Sequence, residues 1–276
     1  MTKLLKDRGF WGIIVLVLLG TLTSVLLEGQ VFEVHSPLGH LLFSAVFSLV
    51  PGLLWLYFFY LQDKHEREPH HYLVGVFIAG AALAYGVSVQ VSRAFDAAHA
   101  TSLYSPLAQL LTAILVYGVL QELVKFLVVR YTVYNSNEFN EPVDGVVYSI
   151  AASLGAASAY NMVYLNGLDA FNLGVVPIRI IEYYLVSAVI GGLLGYFLGR
   201  AKFEPTNANR HQLTGFGIAI VLNGLYNFFA DRLHGLSHNL WNELIFTVAF
   251  VVVLFAVMFF LLQKSLAKSP FQQQTA

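Results

Sequence analysis

Cysteine is absent from the chain, which excludes a disulfide framework and a thiolate metal site alike. Charge is scarce as well. Asp, Glu, Lys and Arg make up 11% of the 276 residues and hydrophobic residues 57%, a balance too apolar for a soluble domain. A formal net charge of -1 provides no basic field, so nucleic acid is set aside as a partner. The first apolar stretch, preceded by Lys3, Lys6 and Arg8, also lacks a convincing small-x-small cleavage site in TLTSVLLEGQ. It is long, and reads as a permanent anchor rather than a cleaved signal.

What is present is a succession of apolar runs, each near the 20 residues that a helix needs to cross the hydrocarbon core. They fall at roughly 10–28, 38–60, 72–92, 107–131, 142–165, 177–199, 212–230 and 239–262. The expected fold is all-α: a polytopic transmembrane helical bundle of about eight spans. The connections are short, so residues 1–276 form a single integral membrane domain, with 263–276 as a short polar cytoplasmic tail. Short cytoplasmic loops carry the excess of Lys and Arg. With the N-terminus inside, Lys3, Lys6, Arg8, Lys64, Arg67, Arg130, Arg200, Lys202, Arg210, Lys264 and Lys268 lie in the cytoplasm, against only Arg93, Arg179 and Arg232 outside. Both termini are therefore expected in the cytoplasm.

One ionisable pair falls inside a span. In LVYGVLQELVKFLVV, Glu122 and Lys125 are three residues apart on one helix face and can pair, which lowers the cost of both charges in hydrocarbon. Two readings stay open for the pair alone, an interhelical brace and a functional site. Polar residues recur at compatible depths on other spans: Ser187 and Asn223 near the midplane, with Asn161 nearer the outer surface. Bringing Asn161 level with Glu122 requires a tilted or broken helix. Small residues at helical spacing, Ser187, Gly191, Gly195 and Gly199 on one span and the alanine-rich second half of the preceding one, predict close helix packing rather than chemistry.

Over roughly residues 51–230 these blocks resemble the PrsW intramembrane proteases. VPGLLWLYFFYLQDKHEREP is similar to a proline-containing span that ends in tyrosine, aspartate and Glu-Pro, and EPVDGVVYSIAASLGAASAYN is the closer match, with Glu141, Pro142, Asp144, Gly145 and Tyr148. The resemblance implies catalytic groups at four places: a Glu-Glu before x-x-Lys, a Glu-Asn after the small-residue run, a His-Ala early in the next span, and a His-Gly-Leu-Tyr-Asp after that. Here these read Gln121, Glu122 and Lys125; Tyr160 and Asn161; Ser187 and Ala188; and Asn223, Gly224, Leu225, Tyr226 and Asn227. The scaffold positions are kept and most chemical positions are changed.

Hydrolysis of a peptide needs a tuned base or a metal held by several good ligands. Gln121 cannot take a proton, and neither Ser187 nor Asn223 replaces imidazole. The expectation is therefore a proteolytically inactive, PrsW-like pseudoprotease of a bacterial inner membrane, with Glu122 as a vestigial catalytic group. Gln121, Lys125, Asp144, Tyr160, Asn161, Ser187, Asn223 and Asn227 are expected to line a polar cavity. That cavity would bind another membrane protein, such as a single-span helix, with the lipid bilayer as the other partner. No metal site or cofactor is expected. An active, metal-dependent endopeptidase using Glu122 is the alternative, and a small transporter or lipid-handling protein a third, though the chain lacks the inverted repeat of such transporters.

Other constellations carry less. HEREPHH brings His65, His70 and His71 together with Glu66 and Glu68, and reads as a solvated interfacial turn more than a metal site. His234 and His238 are spaced i, i+4 without a second carboxylate beside them, and Arg179 and Glu182 read as a helix-end pair.

Overall fold

A computed structural model describes residues 29–62, 68–99, 105–237 and 240–266, with the isolated positions 15, 22, 26 and 27. The chain forms a helical membrane bundle in which seven helices among the described residues are long and apolar enough to span a bilayer. These seven correspond to the second through eighth predicted spans. The first predicted span, its cleavage question and the polar tail after residue 266 lie outside the described residues.

In chain order, β1 (Val31–Phe32) precedes α1 (Pro37–Gln62), and α2 (His70–Leu83) runs through a π-helical turn, Ala84–Val89, into α3 (Gln90–His99). The next span repeats that construction: α4 (Pro106–Thr112), a π turn at Ala113–Gly118, then α5 (Val119–Thr132). α6 (Asp144–Asn166), β2 (Phe171–Asn172), α7 (Val176–Phe203), α8 (Ala208–Ser237) and α9 (Leu240–Leu266) follow. β1 and β2 pair antiparallel at one end of the bundle, with Val31 opposite Asn172. The two π turns and this small ribbon are absent from the hydropathy reading, since neither leaves a periodic signature in an apolar run.

Local signals set several helix starts. Ser105 accepts a hydrogen bond from the Ala108 amide at 3.1 Å and Pro106 occupies the first turn, where its missing N–H costs nothing. In α1, Pro51 removes a rung of the helix ladder, and the nearby Ser48 carbonyl accepts the Tyr184 hydroxyl from α7.

Burial is concentrated in α6 and α7, which the other helices surround. Glycine makes this packing possible: a Cβ at Gly195 would run into the Gly145 carbonyl, and one at Gly199 into that of Pro142. α2 approaches a second face of α6 in the same way, with Gly80 against the Ala152 carbonyl and Gly155 against that of Phe77. Without a hydrophobic drive between helices in lipid, such backbone approach maximises dispersion contact. The outer faces are apolar and open; Leu115, Leu213 and Phe260 are 62%, 71% and 69% exposed. They are the surfaces that lipid covers.

Candidate functional site

The site begins with backbone contact. In the π turn before α5, a Cβ on Gly118 would meet the Ile220 carbonyl of α8 at 2.7 Å, and one on Gly224 would meet Ile114 Cα at 2.5 Å. That closeness puts the first turn of α5 within side-chain reach of the middle of α8. Glu122 and Lys125 are both buried, at 0% and 1% exposure. Lys125 Nζ donates to Glu122 Oε1 at 2.7 Å, and Asn223 Nδ2 donates to the same oxygen at 2.5 Å. One turn further along α8, Asn227 Nδ2 donates to Asn223 Oδ1 at 2.8 Å. From α7, the Tyr183 hydroxyl donates to Gln121 Oε1 at 3.1 Å. Gln121, Glu122, Lys125, Asn223 and Asn227 therefore belong to one polar cluster.

Tyr160 joins its edge. The ring packs edge-on against Tyr183, with centroids 5.9 Å apart, and its hydroxyl donates to Ser88 in the π turn between α2 and α3. Glu122 lies within Coulombic reach of it. The adjacent Asn161 faces Tyr184, whose hydroxyl also meets Ser158 at 2.8 Å. Ser187 bonds elsewhere: its hydroxyl donates to the Ser153 carbonyl at 3.1 Å, in the glycine-lined contact of α6 with α7.

Asp144 does not join this cluster. It opens α6, about 24 Å of helix rise before Tyr160. Its Oδ2 accepts the amides of Asn140 at 2.7 Å and Glu141 at 2.6 Å, and its carboxyl lies in hydrogen-bond reach of Glu68. Glu68, 5% exposed, also accepts the Tyr148 hydroxyl. The HEREPHH turn is therefore not solvated throughout, because Glu68 is drawn inward onto α6. His70 meets the Tyr60 hydroxyl at 3.2 Å, while His65, Glu66 and His238 lie outside the described residues, as does the side chain of His234. Arg179 stacks on the Tyr164 ring at 4.3 Å.

Sequence reasoning missed Ser88, Tyr183 and the Glu68–Tyr148 link. A serine in AYGVSVQVSR and a Tyr-Tyr pair in IIEYYLVSA were visible, but residues contributed by separate spans converge only once the packing is known.

Chemically, Glu122 presents one oxygen held by an ammonium and an amide, and a second, Oε2, buried without a hydrogen-bond partner among the described groups. Asn161 Nδ2 is in the same condition. The cluster supplies amide and hydroxyl groups suited to polar backbone groups of another segment, with no imidazole among its hydrogen-bonded members.

Residues 68–262 match the family model described as PrsW family intramembrane metalloprotease. Among curated proteins, the chain is 32% identical over 192 residues to Protease PrsW of Geobacillus kaustophilus, covering 66% of this chain and 80% of that protein. It is 30% identical over 183 residues to Protease PrsW of Halalkalibacterium halodurans (65% and 80%) and 29% identical over 191 residues to that of Bacillus subtilis (67% and 82%). No solved structure matches. Bacterial relatives and seven apolar spans place the chain in a bacterial inner membrane.

The family description implies a metal, and the donor set beside Glu122 does not fit one. Among the described residues no three His, Asp or Glu side chains converge as ligands, and the one carboxylate present holds an ammonium ion against itself. Family membership rests on the whole matched length rather than on this site, and the chain belongs to the PrsW family of intramembrane metalloproteases.

Proposed function

We propose that this protein keeps the PrsW scaffold and its intramembrane recognition of a membrane-spanning segment, but does not hydrolyse it. One observation carries the reading: Glu122 Oε1 is taken by Lys125 at 2.7 Å and by Asn223 at 2.5 Å, so that oxygen is committed to an ion pair and an amide hydrogen bond. A carboxylate fixed by an ammonium group is a poor base and a good structural acceptor. The surrounding Gln121, Tyr160, Tyr183 and Asn227 offer neutral hydrogen-bonding groups to a bound chain.

Co-expression with tagged single-span membrane proteins tests this. The expected result is co-purification of an intact partner, weakened by Glu122→Gln, with no fragments. Fragments that vanish in Glu122→Gln would sink the reading.

The second reading, an active endopeptidase, is favoured by Glu122 Oε2, an acceptor that no described protein group claims. In that case cleavage depends on Glu122. A double variant, Gln121→Glu with Asn223→His, adds the carboxylate and imidazole that the family resemblance puts at these positions. If activity has been lost through those substitutions, the double variant gains metal binding, measured as metal per chain, that the unaltered protein lacks.

A further inference from the structure

At the bundle end where α5 and α7 finish, two cations share one aromatic floor. The Arg130 guanidinium sits 4.5 Å from the Tyr134 ring centroid, and Lys202 Nζ lies 4.6 Å from the Phe139 centroid and 5.7 Å from that of Tyr134. Tyr134 and Phe139 are buried and in mutual contact, with centroids 5.4 Å apart. The floor is fixed, and it holds both charges in place.

Neither cation is neutralised by the described residues. Among the described residues Arg130 reaches the Asn135 amide oxygen, at 3.5 Å, and Lys202 the Ser136 carbonyl, at 3.4 Å. Neither forms an ion pair among the described residues, and Asp144 acts on Lys202 only through space. The contrast with their neighbour is direct: Arg200 is paired with Glu204 at 2.7 Å, and Glu204 also meets His211 at 3.0 Å. Next to these cations in the chain stand Tyr131, 81% exposed, and Phe203, 39% exposed, in the last turns of their helices.

We propose that Arg130 and Lys202 form a binding site for the headgroup phosphate of an anionic phospholipid, with its acyl chains lying along Tyr131 and Phe203. The chemistry is complementary at each level. Two unpaired cations attract an anion, the helix ends set them at headgroup depth, and exposed apolar surface continues from them into the bilayer. Stacking on Tyr134 and Phe139 holds the charges without cancelling them. A free phosphate ion would satisfy the cations but would leave Tyr131 and Phe203 unused. The site is independent of whether Glu122 hydrolyses anything.

The test uses the full chain in nanodiscs of phosphatidylcholine containing a minority of phosphatidylglycerol, with retained lipid read by native mass spectrometry. Phosphatidylglycerol should be retained over phosphatidylcholine by the unaltered protein. Arg130→Gln and Lys202→Gln should each lose about fivefold of that preference, taking each cation near the surface at its usual worth. Lys202→Arg should keep it, and Arg210→Gln, an exposed cation at the same end, should leave it unchanged. Equal retention of the two lipids by the unaltered protein overturns the proposal. So does loss in Lys202→Arg as large as in Lys202→Gln, which would mark a packing role, or release of phosphatidylglycerol by excess inorganic phosphate, which would mark a simple anion site.

Discussion

Lys125 and Glu122 are more dependent on each other than either is useful to the fold. Both are buried, and their 2.7 Å contact replaces the water each has lost. Removing one partner leaves an uncompensated charge in a low-dielectric interior, which costs about 3–5 kcal/mol. Lys125→Met should therefore lower the melting temperature in detergent sharply, and adding Glu122→Gln to it should recover most of the loss. Equal melting of the single and double variants would show that the pair is not coupled. Tyr183→Phe removes only a hydroxyl that donates to Gln121, and should cost about 0.6 kcal/mol, the mean for an interhelical hydrogen bond in a membrane. That small effect on stability, set beside any larger effect on partner binding, separates recognition from folding at this residue.

Helices α6 and α7 meet through their backbones, so glycine substitutions sort by what a Cβ would touch. At Gly199 it meets the Pro142 carbonyl, which cannot move aside; Gly199→Val should cost at least the 1–3 kcal/mol of an overpacked core and reduce the folded yield on size-exclusion chromatography. Gly75, inside α2, has open space where its Cβ would be, and Gly75→Ala should raise stability by about 1 kcal/mol. This contrast also shows what could be read in advance. The spacing of Ser187, Gly191, Gly195 and Gly199 announced a close helix contact, and seven of the predicted spans appear as helices. The polar cluster was legible only in part: Glu122 and Lys125 face each other within one helix, whereas Asp144 shares the family block but lies at the far end of α6, holding the amides of Asn140 and Glu141. One span cannot encode which residue of another span it meets. At the end of α7, hydrogen bonding from Arg200, and then from His211, holds the Glu204 carboxyl below the usual carboxylate range. Its contribution is present above that range and lost as pH falls through the lowered value. Melting of Glu204→Gln should thus differ from the unaltered protein at neutral pH and converge with it in acid, by well under 1 kcal/mol because the pair is partly exposed.

For the molecule as a whole, the lack of cysteine makes orientation directly measurable. A single cysteine placed at Asn135 should react with a membrane-impermeant maleimide only in inverted vesicles, and one at Asn166 only in intact cells, if the basic end faces the cytoplasm. The reverse pattern would overturn the orientation drawn from Lys and Arg. The π turns extend this to how the bundle is wound. A π turn accommodates one residue more than the α-helix it interrupts, and one residue is about 100° of helix rotation. Ala113–Gly118 therefore turns all of α5 relative to α4, and Gln121, Glu122 and Lys125 face Asn223 and Tyr183 because of it. Deleting a single residue from that turn leaves hydropathy and span length almost unchanged, yet swings the only described intramembrane ion pair away from Asn223 and Tyr183.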